Sequence, residues 1–426
     1  MSRNLPVNAG RIAEDIEALA GLTEPGHPWT RRAFSPLFLE GRAYIEAQMK
    51  AAGLETRIDA AGNLIGRRTG RKPWLGTIML GSHSDTVPDG GRFDGIAGVI
   101  SALEVARALG DQAIELDHDL EIVDFLAEEV SIFGVSCIGS RGMTGQLPEA
   151  WLSRVSGDLD LAGGIAQVGG EPDVLMQQKR PDIAGFLELH IEQGPVLEAE
   201  GEDIGIVTAI SGITRIEITV EGCADHAGTT PMDRRADALV AASQLVLDIR
   251  NAAAELARTP GHFAATVGEF RIEPNAANVV PSKAVLLIDG RAEIRADMDA
   301  FCRWLDGHVE KLATAYGVTI GTPNRVSDNQ PTPGDAGLLS TLETACERVG
   351  TKYRRMASGA GHDTAWIAKV APAAMIFVPC RDGRSHCADE WVDNDDIALG
   401  AAVLFQAVRE MDKNSKQEAA DGTHTG

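Results

Sequence analysis

A strand, helix, strand pattern between residues 74 and 130 limits the fold more than any other feature of the chain. The apolar run "WLGTIMLGSH" predicts a buried strand, and "DLEIVDFLAEEV" predicts another. Between them lies a predicted helix whose apolar face is formed by Ile96, Val99, Ile100, Leu103 and Leu109. This order is typical of a βαβ unit in a parallel sheet. We predict an α/β fold with a mixed, mostly parallel sheet and helices on both faces.

The pattern changes near residue 212, which indicates a second domain. "TRIEITVEG" alternates as a half-exposed strand does, and a predicted helix and two further strands follow it. A chain of 426 residues is also longer than one hydrophobic core usually organises. We therefore predict an α/β domain of residues 1–211 and 330–412, interrupted by a smaller α+β domain of residues 212–329. Residues 413–426, "KNSKQEAADGTHTG", have the composition of a disordered tail.

The charge of the chain argues against some classes of partner. It has 62 acidic and 39 basic residues, a formal net charge of −23, and so lacks the basic footprint that nucleic-acid binding needs. An anionic substrate would be repelled at long range and would need a local arginine. No apolar run of about 18 residues and no apolar signal core occurs, so we expect a cytoplasmic protein with no membrane partner. The six cysteines form no CxxC pair and are expected to be reduced thiols.

Polar side chains occur near the predicted strand ends, where open α/β sheets bind ligands. They are His83, Asp94, Glu128 and Glu129, with His190 in "FLELHIEQGP" and His386 in "GRSHCADEW". Three histidines and several carboxylates suit borderline divalent metals such as zinc, manganese, cobalt or nickel. Adjacent acids at a strand end point to opposite sides, so one of Glu128 and Glu129 can bind metal while the other handles a proton. An isolated pair of glutamates would indicate a solvated turn, but the other metal-ligating residue types favour a metal site.

A set of motifs resembles one family of enzymes. The motifs are "GSHSDTV", "GRFDGIAGV", "FLAEEVSIFG", "LELHIEQGPVLE", "DHAGTTPMDRRADA", "EPNAANVVP", "SGAGHDT" and "VPCRDGRSHCADEW". They resemble the dinuclear-metal amidohydrolases that include N-carbamoyl-L-amino acid hydrolase, allantoate amidohydrolase and β-ureidopropionase, which are relatives of metal-dependent aminoacylases and carboxypeptidases. The resemblance runs in order from near residue 5 to residue 411. It implies a metal-dependent hydrolase that acts on non-peptide C–N bonds in linear amides.

The resemblance implies two divalent metal ions in each subunit, with zinc expected and manganese, cobalt or nickel as alternatives. The implied ligands are His83 and His190 for one ion, Glu129 and His386 for the other, and Asp94 as the bridge between them. Asp85 resembles the acid that orients His83 and makes it a better ligand.

The resemblance also implies two catalytic residues. Glu128 is the expected general base, which takes a proton from a water molecule between the metals and returns it to the departing nitrogen. His226, in "DHAGTTP", resembles the residue that stabilises the tetrahedral oxyanion. Without the resemblance, His226 would more simply be a packing or capping residue in a polar turn.

Four residues are candidates for substrate binding. Arg291, in "IDGRAEIR", offers a planar two-point match to a substrate carboxylate. Asn278 and Gln193 supply neutral hydrogen-bonding groups, and the backbone of Gly361 is a further candidate. Because His226, Asn278 and Arg291 fall in the inserted domain, the resemblance implies that this domain closes as a lid. It also implies a homodimer that forms through the inserted domain.

The predicted reaction is hydrolysis of the carbamoyl C–N bond of an N-carbamoyl-L-amino acid to the amino acid, carbon dioxide and ammonia. The substrate is thus a small anionic ureido or amide compound. Allantoate, N-carbamoyl-β-alanine and N-acyl amino acids stay open as alternatives, because one sequence does not identify the side-chain pocket. A non-catalytic binding protein of the same fold is disfavoured, since all the implied ligands and both catalytic residues are present. No G-x-S-x-G motif supports a serine nucleophile.

Overall fold

The computed structural model describes residues 5–177 and 179–421 and divides the chain into two compact units. The first unit is Met1–Thr208, Gly334–Met356 and His362–Gly426, and the second is Ala209–Pro333 and Ala357–Gly361. The sequence had predicted boundaries after residues 211 and 329, with residues 357–361 in the metal-binding domain. They instead join the second unit, where the Ser211 N–H donates to the Ser358 carbonyl at 2.9 Å. Gly361 therefore lies in the second unit.

Helices and strands alternate along the first unit, as the sequence predicts. The helices of the described residues are α1 (Ala9–Ala20), α2 (Pro36–Ala51), α3 (Ile96–Asp111), α4 (Ile138–Met143), α5 (Leu161–Gln167), α6 (Val196–Glu200), α7 (Ala238–Leu256), α8 (Arg295–Tyr316), α9 (Ala336–Val349), α10 (Thr364–Ile367) and α11 (Asn394–Asp421). The strands are β1 (Glu55–Ile58), β2 (Leu64–Arg68), β3 (Thr77–His83), β4 (Asp119–Phe125), β5 (Val155–Ser156), β6 (Leu159–Asp160), β7 (Ile183–Ile191), β8 (Ile204–Ile210), β9 (Gly212–Glu221), β10 (Phe263–Glu273), β11 (Lys283–Ala292), β12 (Thr319–Ile320), β13 (Asn324–Asp328), β14 (Thr332–Pro333), β15 (Tyr353–Ser358) and β16 (Ala373–Val378). The predicted βαβ unit is β3, α3 and β4.

The sheet of the first unit is mixed, with a parallel centre. Its strands lie in the order β1-β2-β4-β3-β7-β16-β8, and β15 pairs with β8. The pairs β4/β3, β3/β7 and β7/β16 are parallel, whereas the pairs β1/β2, β2/β4 and β16/β8 are antiparallel. Four adjacent strands therefore present their carboxyl ends at one edge. The predicted mixed, mostly parallel sheet is confirmed.

Both faces of this sheet are covered, because its central strands are apolar on both sides. Ile78 and Leu80 of β3 pack in the core that contains the apolar faces of α1, α3 and α11. Met79, which alternation turns to the other face, packs with Phe186 and with Ile367 of α10. Helices thus lie on both faces, as predicted.

The second unit is an antiparallel sheet covered by two helices. Strands β10-β11-β9-β12 are adjacent in that order, and β13 also pairs with β9. Alternate residues of β9 and β11, among them Ile218 and Leu286, form its core with Leu245 of α7 and Leu305 of α8. This is the α+β arrangement that the half-exposed strand pattern predicts.

The end of the chain departs from the sequence prediction. Helix α11 runs to Asp421, so residues 413–421 are helical instead of forming part of a disordered tail. Lys, Gln, Glu and Ala in this stretch are good helix formers, and they extend a helix already nucleated by its buried first turns. The remaining residues of the predicted tail, 422–426, lie outside the described residues. None of the helices that the structure describes is both long and apolar enough to span a membrane, and all six cysteines are free.

Candidate active site

The parallel strands of the first unit bring the predicted metal ligands to one edge. His83 ends β3, His190 is the penultimate residue of β7, and Glu129 follows β4. Asp94 immediately precedes the Gly95 cap of α3, and His386 follows β16. Residues far apart in sequence therefore converge, because neighbouring parallel strands end at the same edge.

Three buried side chains form the first cluster. Asp94 Oδ1 lies 3.5 Å from His83 Nε2 and 3.2 Å from His190 Nε2. The ligand atoms of the three residues all lie within 4.8 Å of one another, as a metal ion requires. Gly95 makes room for this arrangement, since a Cβ there would lie 2.4 Å from an atom of the His83 ring.

The second cluster uses the other oxygen of the same carboxylate. His386 Nε2 lies 3.1 Å from Asp94 Oδ2 and 3.0 Å from Glu129 Oε1. These three residues also form a group with metal-binding spacing. Asp94 is thus common to both clusters, in the position expected of a bridging ligand.

The tautomers of the two buried histidines fit a cation. His83 Nδ1 lies 3.0 Å from the Asp85 carbonyl oxygen, and His190 Nδ1 lies 2.9 Å from the Ile191 carbonyl oxygen. A carbonyl oxygen only accepts, so each Nδ1 carries a hydrogen, and each Nε2 faces the Asp94 carboxylate, where it can ligate a cation once it carries no hydrogen. A lone pair facing a carboxylate is favourable when positive charge lies between them. The nitrogen and oxygen donors therefore fit borderline divalent ions.

The closely spaced charged groups also shift the pKa values of His83 and Asp94. Burial lowers the pKa of His83, but hydrogen bonds with Asp85 and Asp94 outweigh it and raise that pKa well above its usual value. For Asp94, burial raises the pKa, but hydrogen bonds with the three histidines hold it well below the usual range. Asp94 is therefore ionised and available as a ligand.

Asp85 contacts both the ring of His83 and the turn after β4. Its carboxylate Oδ1 is 3.6 Å from His83 Nδ1, so the backbone carbonyl of Asp85 is the closer partner of the ring. The carboxylate instead accepts hydrogen bonds from the backbone N–H groups of Glu128 at 3.2 Å and Glu129 at 3.3 Å. Asp85 thus also holds the turn after β4, where Ala127 has a positive φ of 52°.

The adjacent glutamates contact different histidines. Glu129 faces His386, whereas Glu128 Oε2 lies 3.6 Å from His83 Nε2. Burial raises the pKa of Glu128 well above its usual value. The Cys137 thiol, 3.5 Å from Glu128 Oε1, donates a hydrogen bond to this carboxylate. Glu128 is therefore a separate carboxylate beside the first cluster.

Gln193 lies at the second cluster. Its Nε2 donates to Asp94 Oδ2 at 2.8 Å and is 3.3 Å from Ser385 Oγ. Its backbone has a positive φ of 56°, which turns the side chain toward the carboxylate. The amide is next to the candidate metal ligands, where the resemblance had suggested a substrate contact.

The other predicted residues lie in the second unit. His226 Nδ1 accepts from the backbone N–H of Gly228 at 3.0 Å and of Thr229 at 3.2 Å, so the ring hydrogen is on Nε2. The exposed Asn278 accepts at its backbone oxygen from the Ala227 N–H at 3.0 Å. The turn that carries His226 is thereby fixed against the segment that carries Asn278.

Two nitrogen atoms of the Arg291 guanidinium group donate hydrogen bonds within the second unit. Its Nε donates to Asp289 Oδ1 at 2.8 Å, and its Nη1 donates to the Gly359 carbonyl oxygen at 2.7 Å. These contacts fix the plane of the group while Nη2 and the second Nη1 hydrogen stay available. Gly361 belongs to the same short segment as Gly359.

Sequence reasoning missed three residues around the clusters. Ser385 Oγ is 3.1 Å from Asp94 Oδ2, and buried Glu390 accepts from the Asp94 N–H at 3.0 Å. Cys137 contacts Glu128 but lies outside the strand-end pattern. Ser385 and Glu390 fall within the "GRSHCADEW" motif, so their spacing around His386 was the available signal.

Comparison with known proteins identifies the family. Residues 79–410 match the model of peptidase family M20/M25/M40. The chain belongs to this family. An N-carbamoyl-L-amino-acid amidohydrolase of Paenarthrobacter aurescens is 35% identical over 95% of this chain and 98% of its own length. An allantoate amidohydrolase of Bacillus subtilis is 35% identical over 88% of this chain and 90% of its own.

Further relatives include a rice ureidoglycolate hydrolase, 33% identical over 95% of this chain and 85% of its own length. Among solved structures, a hydantoinase/carbamoylase family amidase of Burkholderia multivorans superposes with a TM-score of 0.89 at 36% identity, covering 95% of this chain and 98% of that one. The resemblance stated from the motifs is therefore confirmed. This M20 family member is an amidohydrolase, and the two clusters are its candidate metal-binding residues.

Proposed function

We propose that this M20 family protein hydrolyses N-carbamoyl-L-amino acids with the help of two divalent metal ions, and that the metal is zinc. The observation that carries the proposal is the shared carboxylate: Asp94 Oδ1 faces His83 and His190, and Asp94 Oδ2 faces His386. One bridging carboxylate between two sets of nitrogen and oxygen donors is the arrangement that a two-metal site needs. Ions bound there would polarise the scissile carbonyl and lower the pKa of the attacking water.

Glu128 moves the proton in this proposal. It accepts a proton from the attacking water at Oε2, and the water oxygen forms a bond with the carbamoyl carbon. The C–N bond to the amino acid then breaks, and Glu128 returns the proton to that nitrogen. The carbamate released decomposes to carbon dioxide and ammonia. Support comes from the closeness of Glu128 to His83, at 3.6 Å, and from the separate orientation of Glu129.

His226 and Arg291 have the hydrogens that the remaining roles require. Because Nδ1 of His226 accepts from two backbone N–H groups, its Nε2–H is the donor for the developing oxyanion. Arg291 holds the substrate carboxylate through Nη2 and Nη1, with Asp289 fixing its orientation. Asn278, Gln193 and the backbone of Gly361 complete the proposed substrate contacts. Productive chemistry then requires the second unit to close over the first.

We also propose a homodimer formed through the second unit, in a cytoplasmic protein. β10 is an edge strand of 11 residues in its sheet, and its Phe270 side chain is exposed. Val240 and Leu247 of α7 are exposed as well. An open edge with exposed apolar residues is what a second copy can cover. Sedimentation of the intact protein tests this, and a monomer at all concentrations would contradict it.

The substrate proposal is tested with a panel of compounds on chelated protein before and after zinc, manganese, cobalt or nickel is added. The panel contains N-carbamoyl-L- and D-amino acids, N-carbamoyl-β-alanine, allantoate and N-acyl amino acids, and ammonia and free amino acid are measured. Metal-restored turnover of the L-carbamoyl compounds is the expected result. Turnover confined to allantoate or an N-acyl conjugate would move the assignment to the second candidate, which the names of the allantoate and ureidoglycolate relatives favour. Binding of these compounds without any product would indicate a non-catalytic protein.

A further inference from the structure

A buried carboxylate outside both clusters connects the two segments that carry Asp94 and His386. Glu390 is 1% exposed. Its Oε1 accepts from the backbone N–H groups of Phe93 at 2.8 Å and Asp94 at 3.0 Å. Its Oε2 accepts from Ser385 Oγ at 2.7 Å. One side chain therefore binds the segment before α3 and the residue that precedes His386.

The space for this carboxylate is closely bounded. A Cβ atom at Gly91 would lie 1.9 Å from the Glu390 carboxyl group, so a larger residue at position 91 would displace the carboxylate from this place. The backbone N–H of Glu390 also donates to the Cys387 carbonyl oxygen at 3.1 Å. Glu390 is thus held at both its backbone and its side chain, so its carboxylate is a fixed acceptor for the groups that donate to it.

Ser385 extends the connection to the side chain of Asp94. Its hydroxyl lies 2.7 Å from Glu390 Oε2 and 3.1 Å from Asp94 Oδ2. A hydroxyl has one hydrogen, so it donates to one of these carboxylates at a time. Donation to Glu390 leaves the Asp94 oxygen free to accept other partners. Glu390 therefore affects both the backbone and the ligating atom of Asp94.

The two histidines of the first cluster are held in place by contacts that do not involve Glu390. His83 and His190 lie on central strands, are 1% and 2% exposed, and have Nδ1 atoms held by backbone carbonyl groups. His386 lies outside the strands, its side chain is 48% exposed, and its backbone has a positive φ of 53°. The second cluster thus depends more on contacts made by the segment around His386.

We propose that Glu390 is a positioning residue that sets the metal affinity of the second cluster, formed by Asp94, Glu129 and His386. It does so by holding the Asp94 backbone and the His386 turn in one relative geometry. The inference rests on the proposed function for the presence of two ions. Residues that orient metal ligands typically change metal affinity by about 10–100-fold when they are removed.

The experiment is a zinc titration of the chelated full-length protein against a competing chromophoric chelator, which resolves two dissociation constants. His386→Ala identifies the binding step of the second cluster. Glu390→Ala is expected to weaken that step by about 10–100-fold and the other step by less. Glu390→Gln, which keeps an acceptor for the two N–H groups, should recover part of the loss. Ser385→Ala, which leaves the backbone contacts intact, should have a smaller effect on the same step.

Asp412→Asn is the matched control. Asp412 is also buried and accepts from two backbone N–H groups, those of Asp117 at 2.8 Å and His118 at 3.0 Å. These contacts lie before the amino end of β4, whereas the candidate metal ligands lie at the carboxyl ends of the strands. It should leave both zinc affinities unchanged, and thermal unfolding of each variant measures any general loss of stability. The inference would be overturned if Glu390→Ala weakened both zinc-binding steps equally, in proportion to its loss of thermal stability. It would also be overturned if Glu390→Ala left both zinc affinities unchanged. A wild-type protein that binds one zinc ion per chain would instead refute the two-ion proposal, and this inference with it.

Discussion

The carboxylate of Asp85 accepts a hydrogen bond from the backbone N–H of Glu128 at 3.2 Å. The other oxygen of the same carboxylate accepts from the next N–H, at Glu129, so two neighbouring glutamates are held by one side chain. One of them faces His83 and the other faces His386. The proposed division of roles, with Glu128 as proton carrier and Glu129 as metal ligand, therefore depends on how this turn is fixed.

Asp85→Ala should lower both turnover and zinc affinity by about 10–100-fold, because the turn that carries both glutamates loses two hydrogen bonds. Metal content after dialysis and the steady-state rate on the best substrate of the panel provide the two readouts. Asp412→Asn serves again as the comparison, since it alters a similar buried contact at the far end of β4. Unchanged rate and zinc affinity in Asp85→Ala would contradict the proposed positioning of the glutamates.

Glu128→Gln should reduce kcat by about 10²–10⁴-fold with little change in zinc content, because it removes the proton acceptor and preserves the shape of the side chain. Glu129→Gln should instead mainly weaken zinc binding, since Glu129 belongs to the second cluster. The two variants form a matched pair on adjacent residues. Identical behaviour of the two, in kcat and in zinc content, would refute the assignment of separate roles.

His226→Ala is expected to lower kcat by about 10²–10³-fold with a smaller effect on KM, because an oxyanion donor acts in the transition state. The ring lies on an exposed turn, and its Nδ1 contacts are confined to that turn. Circular dichroism should therefore be unchanged. A rise in KM at constant kcat would instead assign His226 to binding of the ground-state substrate.

Arg42→Ala should destabilise the first unit by about 3–5 kcal/mol, because it leaves a buried carboxylate without its cation. Arg42 Nε donates to Asp124 Oδ2 at 3.1 Å, and both side chains are buried. The free energy of unfolding in denaturant, followed by far-ultraviolet circular dichroism, measures the loss. For comparison, Arg258→Ala removes an exposed pair with Glu255 and should change stability by less than about 1 kcal/mol. Equal effects of the two variants would be inconsistent with a special cost of burial.

Asp396→Asn should stabilise the protein near neutral pH. Burial, and then the nearby Asp393 and Asp203, raise the pKa of Asp396 to about 6. A folded-state pKa above the unfolded value means that the native state binds the proton more tightly, so stability falls as pH rises through this window. The gain in Tm of Asp396→Asn should be present at pH 7.5, decrease below pH 6 and disappear near pH 4, below the ordinary pKa. A pH-independent gain would exclude this carboxyl group as the cause.

The sequence identified the elements of the candidate site better than their contacts. Strand and helix periodicity predicted β3, α3 and β4, and the residue types at the strand ends predicted metal ligation at His83, Asp94 and His386. Periodicity does not report how a side chain two residues beyond a strand end will turn. The resemblance predicts that Asp85 orients His83, but it does not predict that the Asp85 carboxylate also accepts hydrogen bonds from two backbone N–H groups.

Periodicity and residue type, which are local properties, determined the α/β class, the inserted α+β unit and the residues able to ligate a metal. The resemblance implies that Asp94 is a bridge, but only the tertiary structure decided which of its oxygens faces which histidine. It also decided that residues 357–361 join the second unit and that Glu390 holds both Asp94 and the His386 segment. These relationships join segments up to hundreds of residues apart in sequence. Their distances are set by the pairing of parallel strands and the packing of loops at one sheet edge, which no local pattern of residues encodes.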